Sequence, residues 1–262
     1  MNKKDFIFYK KWFYTYADSF LTSDKDFNYH IILKKEHSQR VSEEIVLLGN
    51  SLNLDTGDLI LAELIGLYHD LGRFQQYASF HTFFDQKSRD HATLGREIVV
   101  EKNIFADLNI KERNIILSCI SLHNKLSLNT VRDSRELFFL KLLRDADKLD
   151  IWQVLIDHYL SENKNRNPVL LDLPDDPHIS DKVVKAFYQQ KLIKKEHIKT
   201  VNDFIILNIS WVFDLNFSYT AQEVIKRNYI NTLTELLPPS EQTRTISDIA
   251  TLYLEEFNMQ RV

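Results

Sequence analysis

The sequence contains few of the residues that form turns and cross-links. Five glycines, five prolines and one cysteine occur in 262 residues. The single thiol, Cys119, excludes an internal disulfide framework and a thiolate zinc site, and it fits a reducing compartment such as the cytoplasm. Because turn signals are scarce while apolar residues recur at intervals of three and four, the pattern predicts an all-α chain.

Long hydrophobic runs are also missing. The longest apolar stretch, residues 204–213, is interrupted by Asn208 and Ser210 and is shorter than the roughly 20 residues that a bilayer requires. Residues 1–20 mix Lys, Asp and aromatics without a cleavage site of small residues, so we expect no signal peptide and no membrane partner. A formal net charge of -4 gives no general attraction for duplex nucleic acid, and a polyanionic substrate would need a local cluster of cations.

The apolar content indicates one substantial core. Apolar residues make up 44% of the chain, which is enough for a large helical domain. Residues 161–180 concentrate Asn, Pro and Asp, and we interpret them as a connector. The helices predicted after it are expected to complete the same core. We therefore expect a single domain over residues 1–262, with a core at about 30–155 and a C-terminal helical extension at about 180–262.

A His-Asp pair stands at the end of a predicted core helix. Residues 66–74 read Gly-Leu-Tyr-His-Asp-Leu-Gly-Arg-Phe and follow an almost wholly apolar stretch. His69 and Asp70 must be hydrogen-bonded, paired with an opposite charge or bound to a metal, because an unpaired buried charge costs several kcal/mol. Gly72 is expected to end the helix. The pair alone is weak support for a metal site.

Four more polar residues occupy comparable helical positions. His37 shares a face with apolar residues, His91 lies in the first turn of a predicted helix, His123 follows an apolar run, and Asp147 comes four residues after Leu143. Each also has a plainer interpretation, as a core histidine or as part of a solvated run of acids.

Between these positions, residues 74–90 are rich in Gln, Ser, Phe and Thr and show no clean period. We expect a loop there, long enough to fold over a site. Its aromatic side chains either pack on the core or stack on a base, and core packing is the favoured interpretation.

Taken together, the chemistry-bearing residues follow one order: His37, His69, Asp70, His91, His123 and Asp147. This order resembles the HD superfamily of metal-dependent phosphohydrolases, whose pattern is a histidine, a His-Asp pair and a distant aspartate on the helices of one bundle. The resemblance covers roughly residues 36–150 and is strongest at 69–73 and at 146–149. It implies the HD-domain helical bundle as the fold, with additional C-terminal helices.

The resemblance also implies a ligand set. In the family the first ion is held by residues that correspond here to His37, His69, Asp70 and Asp147. The other two residues, His91 and His123, resemble the additional histidines of the phosphodiesterase branches, which hold a second ion bridged by the shared aspartate. The sequence lacks a second histidine beside His123 and a following Gly-Tyr-Pro signature, so cyclic di-GMP hydrolysis is not implied. Imidazole and carboxylate ligands suit Mn, Fe, Ni, Co or Zn, and we expect one or two such divalent ions.

Three basic residues are candidates for contact with a phosphate. Arg73 resembles the basic residue that follows the His-Asp pair in family members, and we assign it to catalysis, together with Asp70, and to substrate binding. A surface arginine is the alternative. Lys125 and Lys148 are further candidates for substrate binding, with solvated charges as the alternative.

The expected function is that of a cytoplasmic metal-dependent phosphohydrolase, a phosphatase or phosphodiesterase. Two ions about 4 Å apart can activate a shared water as hydroxide and clamp phosphoryl oxygens during in-line attack. We expect a small phosphorylated substrate, with a nucleotide as the favoured class. One alternative is a catalytically inactive sensor that binds a metal and a nucleotide, and another is a helical scaffold whose histidines are core residues.

Overall fold

The computed structural model describes residues 1–160 and 173–259, and these residues form an all-α structure. No strand occurs in these two ranges, so the predicted fold class is confirmed. No helix in the same ranges is long and apolar enough to cross a membrane. Most of the predicted connector at 161–180 lies outside the described residues, and residues 173–180 contain no helix.

Contacts within the chain define two compact units, Met1–Asp150 and Ile151–Val262. The expected single-domain organisation stays a prediction. The helices of the first unit are α1 (Lys3–Asp18), α2 (Lys25–Ser51), α3 (Thr56–Tyr68), α4 (Gly72–Phe80), α5 (His91–Glu101), α6 (Ile110–Leu122) and the first part of α7 (Ser134–Leu160). Every residue of the predicted ligand set lies in this first unit.

Helices α2 and α3 form the centre of the first unit. The second half of α3 is buried, including Leu61 and Ile65, which confirms the predicted core helix. At Gly66 a Cβ atom would lie 2.8 Å from the Cα atom of Ser42 on α2. The two helices therefore approach closely through a position where a larger residue would force them apart.

Gly72 has a different role from the predicted one. Helix α3 ends at Tyr68, four residues before Gly72, and α4 begins at Gly72 itself. A Cβ atom on Gly72 would overlap the carbonyl oxygen of His91 and would lie 2.6 Å from the nitrogen of Gly95. Gly72 is thus required for backbone contact between α4 and α5, and this contact holds His91 beside the end of α3.

The loop predicted over residues 74–90 is wrong in its first half. Residues 72–80 are helical, and Asp85–Lys87 form a short 3₁₀ turn. Phe74, Tyr77 and Phe83 are buried, so these aromatic rings pack on the core as favoured. Because aromatic residues alternate with Gln and Ser in this segment, its sequence shows no clear helical period. The helix forms because its aromatic rings pack on the core.

The second unit is helical as well. Its complete helices are α8 (Asp181–Tyr188), α9 (Val201–Ile209), α10 (Ser218–Lys226), α11 (Tyr229–Glu235) and α12 (Glu241–Met259). Helix α9 is buried along its whole length, and the indole nitrogen of Trp152 donates to the carbonyl oxygen of Asn208 at 3.0 Å. Asp203 on α9 accepts hydrogen bonds from the backbone and hydroxyl of Ser180, at 2.8 and 2.7 Å.

Candidate metal centre

Four predicted ligands converge in the first unit from α2, from the turn after α3 and from α7. His37 Nε2 lies 3.2 Å from both His69 Nε2 and Asp147 Oδ1, and 3.6 Å from Asp70 Oδ2. His69 Nε2 lies 3.6 Å from Asp147 Oδ1 and 3.8 Å from Asp70 Oδ2. Two imidazole nitrogens and two carboxylate oxygens therefore face one point, which we call the first group.

A second group forms around the other oxygen of the same aspartate. Asp70 Oδ1 lies 3.3 Å from His91 Nε2 and 3.7 Å from His123 Nε2. The two imidazole nitrogens are 3.1 Å apart. The structure thus brings all six predicted ligands together, and Asp70 gives one oxygen to each group. Asp70 therefore lies between the two groups, as the resemblance to the HD superfamily implies for the shared aspartate.

The helix ends explain how a sequential pair reaches both groups. His69 and Asp70 lie in the tight turn between α3 and α4. Successive residues inside a helix point about 100° apart, but this turn lets both side chains face the centre. The two histidines of the second group are also placed by helix ends, since His91 begins α5 and His123 follows α6.

The comparison with protein families agrees with this arrangement. The family model of the HD domain matches residues 35–152. This chain contains an HD domain. The family belongs to the superfamily of metal-dependent phosphohydrolases, and all six converging residues lie inside the matched range. No curated protein and no solved structure is significantly similar to the chain.

Two histidines of the HD domain are fixed by main-chain carbonyl groups. His69 Nδ1 lies 2.7 Å from the carbonyl oxygen of Gly66, and His123 Nδ1 lies 2.9 Å from that of Ile120. A carbonyl oxygen only accepts, so Nδ1 carries the proton in both rings. In a neutral ring of this tautomer, Nε2 is left with a lone pair that points into the centre.

The other two histidines are fixed by carboxylates. His37 Nδ1 lies 2.6 Å from Asp150 Oδ2, and His91 Nδ1 lies 2.9 Å from each oxygen of Asp85. The same reasoning turns Nε2 of these rings toward the two groups. The alternative interpretation of Asp147 as part of a solvated run of acids is wrong, because the neighbouring Asp145 and Asp150 are buried.

The donor atoms fit divalent transition ions. Within each group two Nε2 atoms face each other at 3.1 to 3.2 Å, and two lone pairs at that separation repel unless a proton or a metal cation lies between them. Asp147 Oδ1 is buried and faces His37 Nε2 at 3.2 Å and His69 Nε2 at 3.6 Å, so a cation near those nitrogens would also lie near this oxygen. Mixed imidazole and carboxylate donors are the ligands that such ions take in proteins. The HD domain can thus hold a metal ion in the first group and another in the second.

The charges of the centre favour ionised acids and a neutral ring. Burial would raise the pKa of Asp70, but the positive charges of Lys34 and Arg73 outweigh it and hold that pKa well below its usual range. Burial and the charge of Arg73 lower the pKa of His91 to about 3. Metal ligands must be deprotonated, and these shifts supply that state for Asp70 and His91.

His37 differs from His91 in its protonation. Burial and the charge of Lys34 lower its pKa, but hydrogen bonds to Asp147 and Asp150 outweigh both and raise the pKa to about 8. The same carboxylates that attract a proton to His37 make the ring a stronger donor to a cation.

Lys34 was missed by the sequence reasoning. Its Nζ atom lies 3.1 Å from Asp70 Oδ2, and it also lies over the ring of Phe83, 5.4 Å from the centroid. The sequence does contain a signal for Lys34. It precedes His37 by three residues on α2, so the two side chains lie on the same face of the helix.

Arg73 is not a surface arginine. Its Nε atom lies 3.4 Å from Asp70 Oδ1, and its Nη1 atom donates to the carbonyl oxygen of Phe83 at 2.6 Å and to Gln76 Oε1 at 2.8 Å. Only 13% of its side chain is exposed. Arg73 therefore lies at the centre, and its use for substrate stays a prediction.

The two predicted lysines differ in their surroundings. Lys125 Nζ lies 2.8 Å from Asp90 Oδ2 at the start of α5, with 40% of the side chain exposed. Lys148 is buried, and its Nζ atom lies 3.8 Å from Asp145 Oδ1. The solvated alternative is therefore wrong for Lys148. Substrate binding by either lysine stays a prediction.

Proposed function

We propose that the protein is a metal-dependent phosphohydrolase with two ion positions that share Asp70. The reaction is hydrolysis of a phosphomonoester or phosphodiester bond in a small phosphorylated compound, with a nucleotide as the expected class. The observation that carries the proposal is the division of the Asp70 carboxylate, one oxygen in each histidine-containing group. The HD domain supports the reaction class.

Divalent ions, when bound, activate water for attack at phosphorus and offset the charge of the phosphoryl oxygens. The residues of the chain then have two tasks. Asp70 fixes the spacing of the two positions, and four histidines present neutral Nε2 atoms from directions set by their Nδ1 partners. The first group has four donors and the second has three, His91, His123 and Asp70, so the second leaves more room for water or substrate.

Two cations beside Asp70, Lys34 and Arg73, support an anionic substrate. We propose Arg73, Lys125 and Lys148 as substrate-binding residues, and Asp70 and Arg73 as catalytic. Lys34 joins the substrate-binding set because its ammonium group is already held at the centre by Asp70. These positive charges offer the local attraction that the negative net charge of the whole chain does not.

The proposal is tested by adding Mn²⁺ or Co²⁺ to purified protein and measuring release of phosphate or nucleoside from a panel of nucleotides and phosphodiesters. We expect turnover that depends on the added ion and is lost in Asp70→Ala. Asp58→Asn is a suitable control, because Asp58 pairs with Arg135 and not with any of the six ligands. A protein that binds ions but turns over no compound would instead be the sensor. We also propose a cytoplasmic location, which the single cysteine favours.

A further inference from the structure

Two carboxylates outside the ligand set each contact one histidine of one group. Asp150 lies 2.6 Å from His37 Nδ1 in the first group, and Asp85 lies 2.9 Å from His91 Nδ1 in the second. The remaining histidine of each group, His69 or His123, contacts a main-chain carbonyl oxygen instead. Each group therefore has one histidine fixed by a charged acceptor and one fixed by a neutral acceptor.

Asp150 is itself held by an arginine. Arg40 Nε donates to Asp150 Oδ1 at 2.6 Å, and Arg40 Nη2 donates to Oδ2 at 3.1 Å. A two-pronged contact of this kind fixes the orientation of a carboxylate more firmly than a single bond. Because Asp150 is only 4% exposed, water competes little for its oxygens. The orientation of the His37 ring therefore follows from Arg40 through Asp150.

Asp85 is held in a parallel way from α4. Arg73 Nη1 and Gln76 Nε2 donate to Asp85 Oδ1 at 3.2 and 2.9 Å. Gln76 is fully buried, and its Nε2 atom also contacts Ser88 Oγ at 2.8 Å and the carbonyl oxygen of Arg89 at 2.9 Å. The segment between α4 and α5 is thereby held in a path that places Asp85 against His91.

We propose that Asp150 and Asp85 are positioning residues that set the affinities of the two ion positions separately. Asp150 serves the first group through His37, and Asp85 serves the second group through His91. A carboxylate acceptor fixes the ring and strengthens Nε2 as a donor. Asparagine keeps the size of aspartate but removes the charge. This inference rests on the two ion positions of the proposed function and is independent of the substrate.

The test is a calorimetric titration of chelator-treated protein with Mn²⁺ alone. Asp150→Asn should raise the Kd of one ion by about 10- to 100-fold and change the Kd of the other by a clearly smaller factor, because the two positions are coupled only through Asp70. Asp85→Asn should do the reverse. Asp58→Asn, an acid paired with Arg135, is the matched control and should change neither Kd.

Combined variants assign each ion to its group. In His123→Ala the first group is intact, so adding Asp150→Asn should weaken the remaining ion and adding Asp85→Asn should not. In His69→Ala the second group is intact, so adding Asp85→Asn should weaken binding of the remaining ion and adding Asp150→Asn should not. This exchange is a result that general loss of stability would not produce.

Circular dichroism and thermal unfolding of the metal-free variants detect loss of the fold. If Asp150→Asn does not fold, Arg40→Lys replaces it, and if Asp85→Asn does not fold, Gln76→Met replaces it. Each replacement should raise the Kd of the same ion by a smaller factor. Equal weakening of both ions, or weakening of neither, overturns the inference while leaving the proposed hydrolase untouched. A wild-type protein that binds no Mn²⁺ overturns the two ion positions themselves, and a wild-type protein that binds two ions without turnover overturns only the reaction.

Discussion

The acceptor at Nδ1 of each of the four histidines determines the direction in which its Nε2 atom points. Each Nδ1 has an acceptor 2.6 to 2.9 Å away, and the ring orientation follows from it. The family pattern named the four histidines from the sequence, but it did not name these acceptors. Gly66 and Ile120 act through their main chain, which no side-chain pattern can indicate, and Asp85 depends on the path of an irregular segment.

Lys34 gives a prediction about substrate binding. Replacing Lys34 with methionine removes the ammonium group beside Asp70 while keeping the length of the side chain. We expect a fall in kcat/KM of about tenfold or more, the size of one lost hydrogen bond to a charged group, with metal content unchanged. Lys35→Met is the control, because Lys35 pairs with Asp18 at 2.7 Å in a more exposed position. Equal kinetics of the two variants would remove Lys34 from the site.

Cys119 gives a prediction about thiol reactivity. The thiol is completely buried on α6, and burial, with a smaller contribution from Glu136, raises its pKa far above the usual value. Since the thiolate is the reactive form, native protein at pH 8 should resist a chromogenic disulfide reagent for hours, while protein in denaturant should react with one equivalent at once. Fast labelling of native protein would show that α6 opens readily at the turn that leads to His123.

At the scale of the helices, periodicity predicted most of the fold. Buried α3 and the inner face of α2 followed from apolar spacing, because these helices are dominated by their core-facing residues. Helix α4 did not, since its polar residues Gln76 and Arg73 face inward to hold Asp85. A helix whose polar residues face inward has a composition similar to that of a loop. The two can therefore be told apart only by their tertiary contacts, which the sequence does not give.

Gly72 gives a prediction at this scale. Alanine at position 72 would place a Cβ atom against the main chain of His91 and Gly95, and a backbone cannot rotate away as a side chain can. We expect a loss of about 1 to 3 kcal/mol in the free energy of unfolding and weaker ion binding in the second group. Urea unfolding measures the first effect and Mn²⁺ titration the second.

Gly57→Ala provides the comparison, because its Cβ atom, near the start of α3, would lie 3.2 Å from Asp55 Oδ1 and no closer than 3.8 Å to the main chain of Met1. Its unfolding free energy should change by less than about 1 kcal/mol. If both glycine variants behave alike, the contact between α4 and α5 does not depend on Gly72.

At the scale of the whole molecule, the sequence predicted the helical class and the six converging residues but not the division into Met1–Asp150 and Ile151–Val262. A long helix, α7, runs through this boundary. A boundary inside a continuous helix carries no turn signal. The pattern of the HD domain was detectable because its chemistry requires particular side chains.

Ion binding should stabilise the folded chain as a whole. A ligand that binds only the native state adds about 2.7 kcal/mol at a free concentration 100 times its Kd. Wild-type protein should therefore unfold several degrees higher with saturating Mn²⁺ than with chelator, and Asp70→Ala should show little of this shift. An equal rise in both proteins would place the stabilising ion elsewhere in the chain.

The central claim is that one carboxylate joins two ion positions. It is tested most directly by anomalous diffraction from crystals grown with Mn²⁺, recorded at the manganese absorption edge. We predict two anomalous peaks about 4 Å apart, one beside each oxygen of Asp70, the first near His37, His69 and Asp147 and the second near His91 and His123. A single peak, or peaks away from Asp70, would contradict the claim.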